Sequence, residues 1–221
     1  MTTAPLRILL TGFEPFGGEP VNPSQQLVED LASESTGELI LNVAVLPVDI
    51  RTVTKALDDA IALAQPHAIV LLGQAAGRGE ICLETTAFNQ VSYGDSVDNG
   101  GTQVKDAPVD PRGPERLDST LPVEKLERLL AEAGHPVRQS DDAGRYLCNH
   151  VLYTTLRRYP QVLCTFVHVP LLPEQAERRA LAEPSLSRET LREALRALLS
   201  HLPRHVPGRS HESLAPRDAD S

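Results

Sequence analysis

Apolar residues come in short runs along this chain, separated by stretches in which they recur at helical spacing. Residues 6–11 form an apolar run that ends at Thr11-Gly12, as a buried strand does. A polar loop rich in Gly and Pro follows over 12–20. Asn22-Pro23-Ser24 reads as a helix start, with Pro at an early helical position, and Leu27, Val28 and Leu31 give that helix one apolar face. Residues 39–46 read as a second strand. Val53, Ala56, Leu57, Ala60, Ile61 and Ala64 predict a helix over 49–64, ended by Pro66. Residues 67–72 form a third apolar run, bounded by Pro and Gly. Strands apolar on both faces, alternating with helices, predict an α/β fold with a parallel sheet covered on both sides.

The second half continues less regularly. Residues 80–92 lack a helical period and are rich in Thr, Ile and Val, so they read as extended. Residues 94–120 are polar and rich in Gly, Pro and Asp, a long loop of the kind that carries function. Helices are expected over 122–133, 146–159, 174–181 and 187–202, and strands over 137–140 and 162–169. No internal repeat appears. The expectation is one domain over 1–202, followed by a polar, flexible C-terminal tail over 203–221.

Composition narrows the function classes. Of 221 residues, four are Phe, four are Tyr and none is Trp, so the core is built from Leu, Val, Ile and Ala. The net charge of -9 repels a nucleic-acid backbone, and the pairs Arg157-Arg158 and Arg178-Arg179 read as solvated helix faces rather than a basic patch. No stretch approaches the roughly 20 apolar residues of a membrane span, and the N-terminus has no signal-peptide pattern. No nucleic-acid or membrane partner is expected, and a cytoplasmic location is. Three cysteines with no C-x-x-C argue against both a disulfide framework and a zinc site. Each is either a small buried hydrophobe or a reactive thiol.

The chemistry gathers in three places: Gly12–Gly18 after the first strand, Gly73–Glu84 after the third, and Cys148 with His168. In open α/β sheets, sites form at the carboxyl ends of strands. Cys148 falls in the first turn of a helix that follows the turn at 141–144. There the helix dipole and free N–H groups favour a thiolate and can hold an oxyanion. A buried, inert cysteine would suit the same position. His150 lies two residues on and faces away from Cys148 on a helix. His168, near the end of the strand over 162–169, is the better base, although a histidine satisfied in the core would look the same. Cys164 is four residues and roughly 13 Å from His168 on that strand, a core residue. Glu84 is a lone acid that could orient an imidazole, or could simply be exposed. Cys82 shares its strand face and is a weak rival nucleophile. Neither Gly-rich loop matches a nucleotide-binding pattern. Phe13 and Phe16 on the first loop suit a small, flat, mostly apolar ligand, or else plug the core.

These pieces together resemble the pyroglutamyl peptidase I family, also called pyrrolidone-carboxylate peptidases. The matching segments are Leu10-Thr-Gly-Phe-Glu-Pro-Phe-Gly-Gly18, Val21-Asn-Pro-Ser24, Gly73-Gln-Ala-Ala-Gly-Arg78, Glu84 with Ala87-Phe-Asn89, Ala143-Gly-Arg-Tyr-Leu-Cys-Asn-His150 and Val167-His-Val-Pro-Leu-Leu-Pro-Glu-Gln175. They run in the family's order up to about residue 200. The resemblance implies a cysteine exopeptidase that releases an N-terminal pyroglutamate, with Cys148 as nucleophile, His168 as base and Glu84 as orienting acid. It implies that Phe13 and Phe16 pack around the pyrrolidone ring, that Tyr146 closes the pocket, that Gln74 offers its backbone to the lactam and that Asn22 lies near the site. It also implies a single αβα sandwich with a twisted sheet, assembled as a homotetramer, with no metal or cofactor. One departure is the stretch 90–99, which carries no Arg where the resemblance leads one to expect it. Two other readings of the same loops are a nucleoside phosphorylase-like enzyme, which lacks a phosphate cradle, and a non-catalytic binder of pyroglutamyl peptides.

Overall fold

The computed structural model describes residues 4–179, 183–202 and 216. The elements are β1 (Leu6–Phe13), α1 (Pro23–Leu31), β2 (Leu39–Leu46), α2 (Val53–Ala64), β3 (Ala68–Gln74), β4 (Ile81–Glu84), β5 (Thr86–Phe88), β6 (Arg116–Asp118), α3 (Val123–Glu132), β7 (Val137–Ser140), α4 (Leu147–Arg158), β8 (Leu163–Val169), α5 (Pro173–Arg178) and α6 (Arg188–His201). Six strands form one sheet in the order β2-β1-β3-β8-β4-β7. All neighbours are parallel except β4 and β8. The sheet is therefore mixed but mostly parallel, as the apolar runs predict.

Alternate residues of each central strand feed two cores. On β1, Leu6, Ile8 and Leu10 face one side and Leu9 and Phe13 the other; on β3, Val70 and Leu72 oppose Ile69 and Leu71. Helices α1, α3 and α6 cover the first face through residues such as Leu27, Leu126 and Leu195. Helices α2 and α4 cover the second through Leu57, Ile61, Val151 and Leu152. Each buried Leu or Ile removes apolar surface worth about 1.5–3 kcal/mol from water, so both faces of the sheet are held by burial. No helix among the described residues is long and apolar enough to cross a membrane.

Several boundaries differ from the sequence expectation. Strand β1 runs two residues further, because Gly12 and Phe13 still pair with Val45 and Leu46. Gly12 is required there: a Cβ would stand 2.4 Å from the Ser24 carbonyl oxygen. Helix α2 starts at Val53, not at residue 49. Residues 49–52 instead form a turn, in which Asp49 Oδ1 accepts from the Arg51 N–H and the Asp49 carbonyl accepts from Thr52 and Val53. The loop expected over 94–120 contains β6, which pairs antiparallel with β5 as a separate ribbon. Helix α5 ends at Arg178, with Arg179 as its C-cap, short of the expected 174–181. Its expected end at Leu181 and the tail expected over 203–221 lie outside the described residues, apart from Pro216.

Candidate active site

The loop after β1 is shaped by Asn22. Its side chain caps α1 by accepting from the Ser24 N–H (3.0 Å) and hydroxyl (2.8 Å), and its amide donates to the Glu14 carbonyl at 3.0 Å. The Ser24 hydroxyl in turn accepts from the Phe13 N–H. Asn22 thus fixes the end of β1, which carries Phe13, and the loop that presents Phe16. Tyr146, the N-cap of α4, has extended backbone and makes no side-chain cap. Its ring lies 4.3 Å from the Tyr93 centroid and 6.1 Å from that of Phe16, and its hydroxyl donates to the Val97 carbonyl at 3.2 Å.

These side chains enclose one pocket. Phe13, Phe16, Asn22, Gln74 and Tyr146 line it together with Val48, Leu147 and Cys148, around roughly 240 Å³ of empty space, part of it open to solvent. All five residues expected to touch a small apolar ligand are brought together here. Val48 and Leu147, both buried apolar residues that sequence reasoning did not single out, complete the lining. Gln74 Oε1 accepts from Gln175 Nε2 at 2.8 Å, which occupies its side chain in holding the wall.

The Cys148 sulfur reaches the floor of this pocket over Gly73. A Cβ on Gly73 would stand 2.9 Å from Cys148 Sγ and 2.6 Å from Phe166 Cζ. Gly73 is the register partner of His168 on the neighbouring strand, so sulfur and imidazole share one face of the sheet. The His168 ring packs 4.7 Å from Phe166. Glu84 Oε1 lies 2.7 Å from His168 Nδ1, with the carboxylate fully buried. The direction of β4 makes this contact diagonal. Because β4 is antiparallel to β8, Cys82 stands opposite His168 and Glu84 opposite Phe166, and the longer glutamate reaches back across the pair. Glu84 is the last residue of β4 and so sits at a strand's carboxyl end, but that strand runs opposite to β3 and β8.

Sequence reasoning passed over Arg78, which donates to Glu84 Oε1 at 2.6 Å. Its signal was a lone cation inside a Gly-rich turn. Asn149 was missed as well: fully buried, it accepts from the Phe88 N–H and donates to the Phe88 and Gln90 carbonyls, pinning β5 to α4. His150 turns away as expected, to Thr54 Oγ1 at 3.1 Å. Cys82 and Cys164 are both fully buried. In the stretch 90–99 no arginine is present; the guanidinium met there is that of Arg145, which lies 4.1 Å over the Phe88 ring and donates to Gln90.

Burial governs the charges. It pushes the Cys148 thiol up to about 12, reinforced by the Glu84 carboxylate and opposed by Arg78. It also pushes His168 below its usual range, outweighing Glu84, with Arg78 acting in the same direction as burial. For Glu84 burial works upward, but the bond and charge of His168, with smaller contributions from Ser140 and Arg78, hold it below the usual carboxylate range. Burial thus disfavours the charged forms of the thiol and the imidazole, while the partnership with His168 favours the ionised acid. Tyr146, raised to about 12 chiefly by burial, stays a protonated donor.

A thiol at a helix start, an imidazole on the next strand and a buried carboxylate behind it are the equipment of a cysteine hydrolase. Comparison with known proteins agrees. The sequence profile described as Pyroglutamyl peptidase matches residues 6–203. The chain is 37% identical to the pyrrolidone-carboxylate peptidase of Cupriavidus necator over 198 residues, covering 87% of this chain and 91% of the relative. It is 38% identical to that of Vibrio vulnificus over 195 residues, with the same shares. A mutant pyrrolidone carboxyl peptidase from Pyrococcus furiosus superposes with a TM-score of 0.84 at 34% identity, covering 88% of this chain and 97% of that one. The chain belongs to the pyroglutamyl peptidase family.

Proposed function

We propose that this protein is a cysteine exopeptidase that hydrolyses the bond after an N-terminal pyroglutamyl residue and releases free pyroglutamate. Cys148 is the nucleophile, His168 the base and Glu84 the acid that orients it. The observation that carries this reading is an apolar pocket that ends on the Cys148 sulfur, beside a buried His168–Glu84 pair. The pocket lining contains no carboxylate. An ordinary N-terminus would bury an ammonium there without a counter-ion, at a cost of several kcal/mol, whereas a lactam has no such charge. Phe13, Phe16 and Tyr146 supply flat walls for the ring.

Glu84 accepts from His168 Nδ1–H, which leaves Nε2 as the basic nitrogen. With burial disfavouring the charged form of each, the proton passes from Cys148 to His168 as the sulfur attacks the pyroglutamyl carbonyl. The N–H groups of the first turn of α4, uncapped by the Tyr146 side chain, favour the oxyanion. The imidazolium protonates the leaving amine. Water, activated by the same imidazole, then cleaves the thioester. The peptidase unit spans 1–202 with the tail 203–221 outside it, and the enzyme works in the cytoplasm as a homotetramer. The resemblance supports this assembly, as do the exposed Ile40, Val43 and Val45 on the edge strand β2.

Release of aminomethylcoumarin from its pyroglutamyl derivative tests the reading, with the glutaminyl derivative as control. The wild type cleaves the first and spares the second, and Cys148→Ala cleaves neither. A folded wild type that releases nothing, or a Cys148→Ala variant that keeps its activity, refutes it.

A further inference from the structure

Among the described residues, Arg78 is the cation in contact with the buried acid, and it has no part in the chemistry above. Arg78 leaves β3 through the turn at 75–79, where Gly77 takes a positive φ of 79° and the Arg78 N–H returns to the Ala75 carbonyl. That reversal folds its side chain back over β4. Nη1 donates to Glu84 Oε1 at 2.6 Å, the oxygen that also meets His168 Nδ1 at 2.7 Å. Nη2 donates to the Asp142 carbonyl at 2.9 Å. Asp142 lies in the turn that leads into α4, where its Oδ1 accepts from the Gly144 N–H. One planar guanidinium therefore spans the acid and the entry to the nucleophile's helix. A flexible ammonium cannot hold both acceptors in a fixed fork.

We propose that Arg78 is a positioning residue of this active site: it selects which Glu84 oxygen faces His168 and ties that carboxylate to the turn that sets Cys148. Resting on the peptidase reading, the assignment predicts effects on turnover rather than on substrate capture, since Arg78 does not line the pocket. The charged groups acting on His168 are Glu84 from β4, Arg78 from the β3–β4 turn and Asp142 from the β7–α4 loop; Cys82 of β4 stands opposite it, and the Cys148 sulfur of α4 lies over its register partner Gly73. Of these, Arg78 is the cation opposing an imidazolium. Its removal makes His168 easier to protonate, so the acid limb of the rate profile moves to higher pH.

The test compares R78Q and R78K with the wild type in kcat, KM and kcat/KM against pH, after thermal melts establish folding. R78Q is expected to lose roughly 10- to 100-fold in kcat, the scale of a small misplacement, at unchanged KM, with the acid limb shifted upward. R78K keeps the charge, so it restores the limb but not kcat. A folded R78Q with wild-type kcat and a superimposable profile overturns the proposal, and so does a loss confined to KM. Should R78Q fail to fold, R78K decides alone: full wild-type kcat contradicts the role. Alkylation of Cys148 by iodoacetamide against pH needs no peptide, so it separates this inference from the peptidase reading. Absent turnover with a profile that still shifts in R78Q would count against the substrate, not against Arg78; an unshifted alkylation profile would count against Arg78.

Discussion

Gly73 decides how closely sulfur and imidazole can share the sheet. Its missing side chain is the space in which Cys148 Sγ and the Phe166 ring sit, at 2.9 Å and 2.6 Å from where a Cβ would be. Gly73→Ala must therefore displace the sulfur, the ring or the strand, since interiors are packed too densely to absorb a methyl at those distances. The expected result is a folded enzyme with kcat/KM reduced about 100-fold, read in the coumarin assay beside a melting curve; near-wild-type kcat/KM would mean that Cys148 does not work from this position. The candidate residues stand out in the sequence (a thiol in a first helical turn, a histidine on an apolar strand, an acid among Ile and Leu), but each also suits a structural role, and only the family resemblance joins them into a triad. Arg78 was not readable in the same way. Its meaning lies in a distance of 2.6 Å to Glu84, and an arginine in a Gly-rich turn is ordinarily solvated.

At the scale of elements, α4 does two jobs, carrying Cys148 at its start and docking on α2 through His150. The half-buried His150 ring bonds to Thr54, and desolvation depresses it from 6.5 to about 4. A histidine held neutral in the fold but free to charge in the unfolded chain supports the fold fully above its unfolded value, and that support is lost as pH falls toward the folded one. His168, also depressed by burial, acts with the same sign. The wild type should thus lose on the order of 2 kcal/mol of stability between pH 7 and 5, and His150→Gln, which keeps a partner for Thr54, should lose less. Urea denaturation followed by circular dichroism at the two pH values measures this; parallel losses would remove His150 as the cause. The elements themselves were largely legible, because buried strands bounded by Gly and Pro and helices with one apolar stripe leave strong periodic signals. Their edges were less so. The start of α2 was placed four residues early, since Asp49 and Thr52 suit a helix start as well as the turn they form. The ribbon of β5 and β6 was hidden, since Arg116–Asp118 is too short and too polar to show alternation.

For the whole molecule, strand order was the information the sequence held least. Local pattern predicts that strands are buried, not which neighbours they take. The reversal of β4 between β8 and β7 follows from long-range pairing alone. That reversal makes the site, because it lets Glu84 approach His168 from a strand running the other way while Cys148 arrives from a helix above Gly73. The central claim is that this convergence makes Cys148, and neither Cys82 nor Cys164, the group that attacks a pyroglutamyl carbonyl. A pyroglutamyl chloromethyl ketone tests it directly: the protein is treated with the reagent, digested, and the modified residue identified by mass spectrometry, with free pyroglutamate as competitor. The account predicts inactivation that tracks modification of Cys148, is slowed by pyroglutamate and leaves Cys148→Ala unlabelled. Labelling of Cys82 or Cys164 in step with inactivation would contradict it.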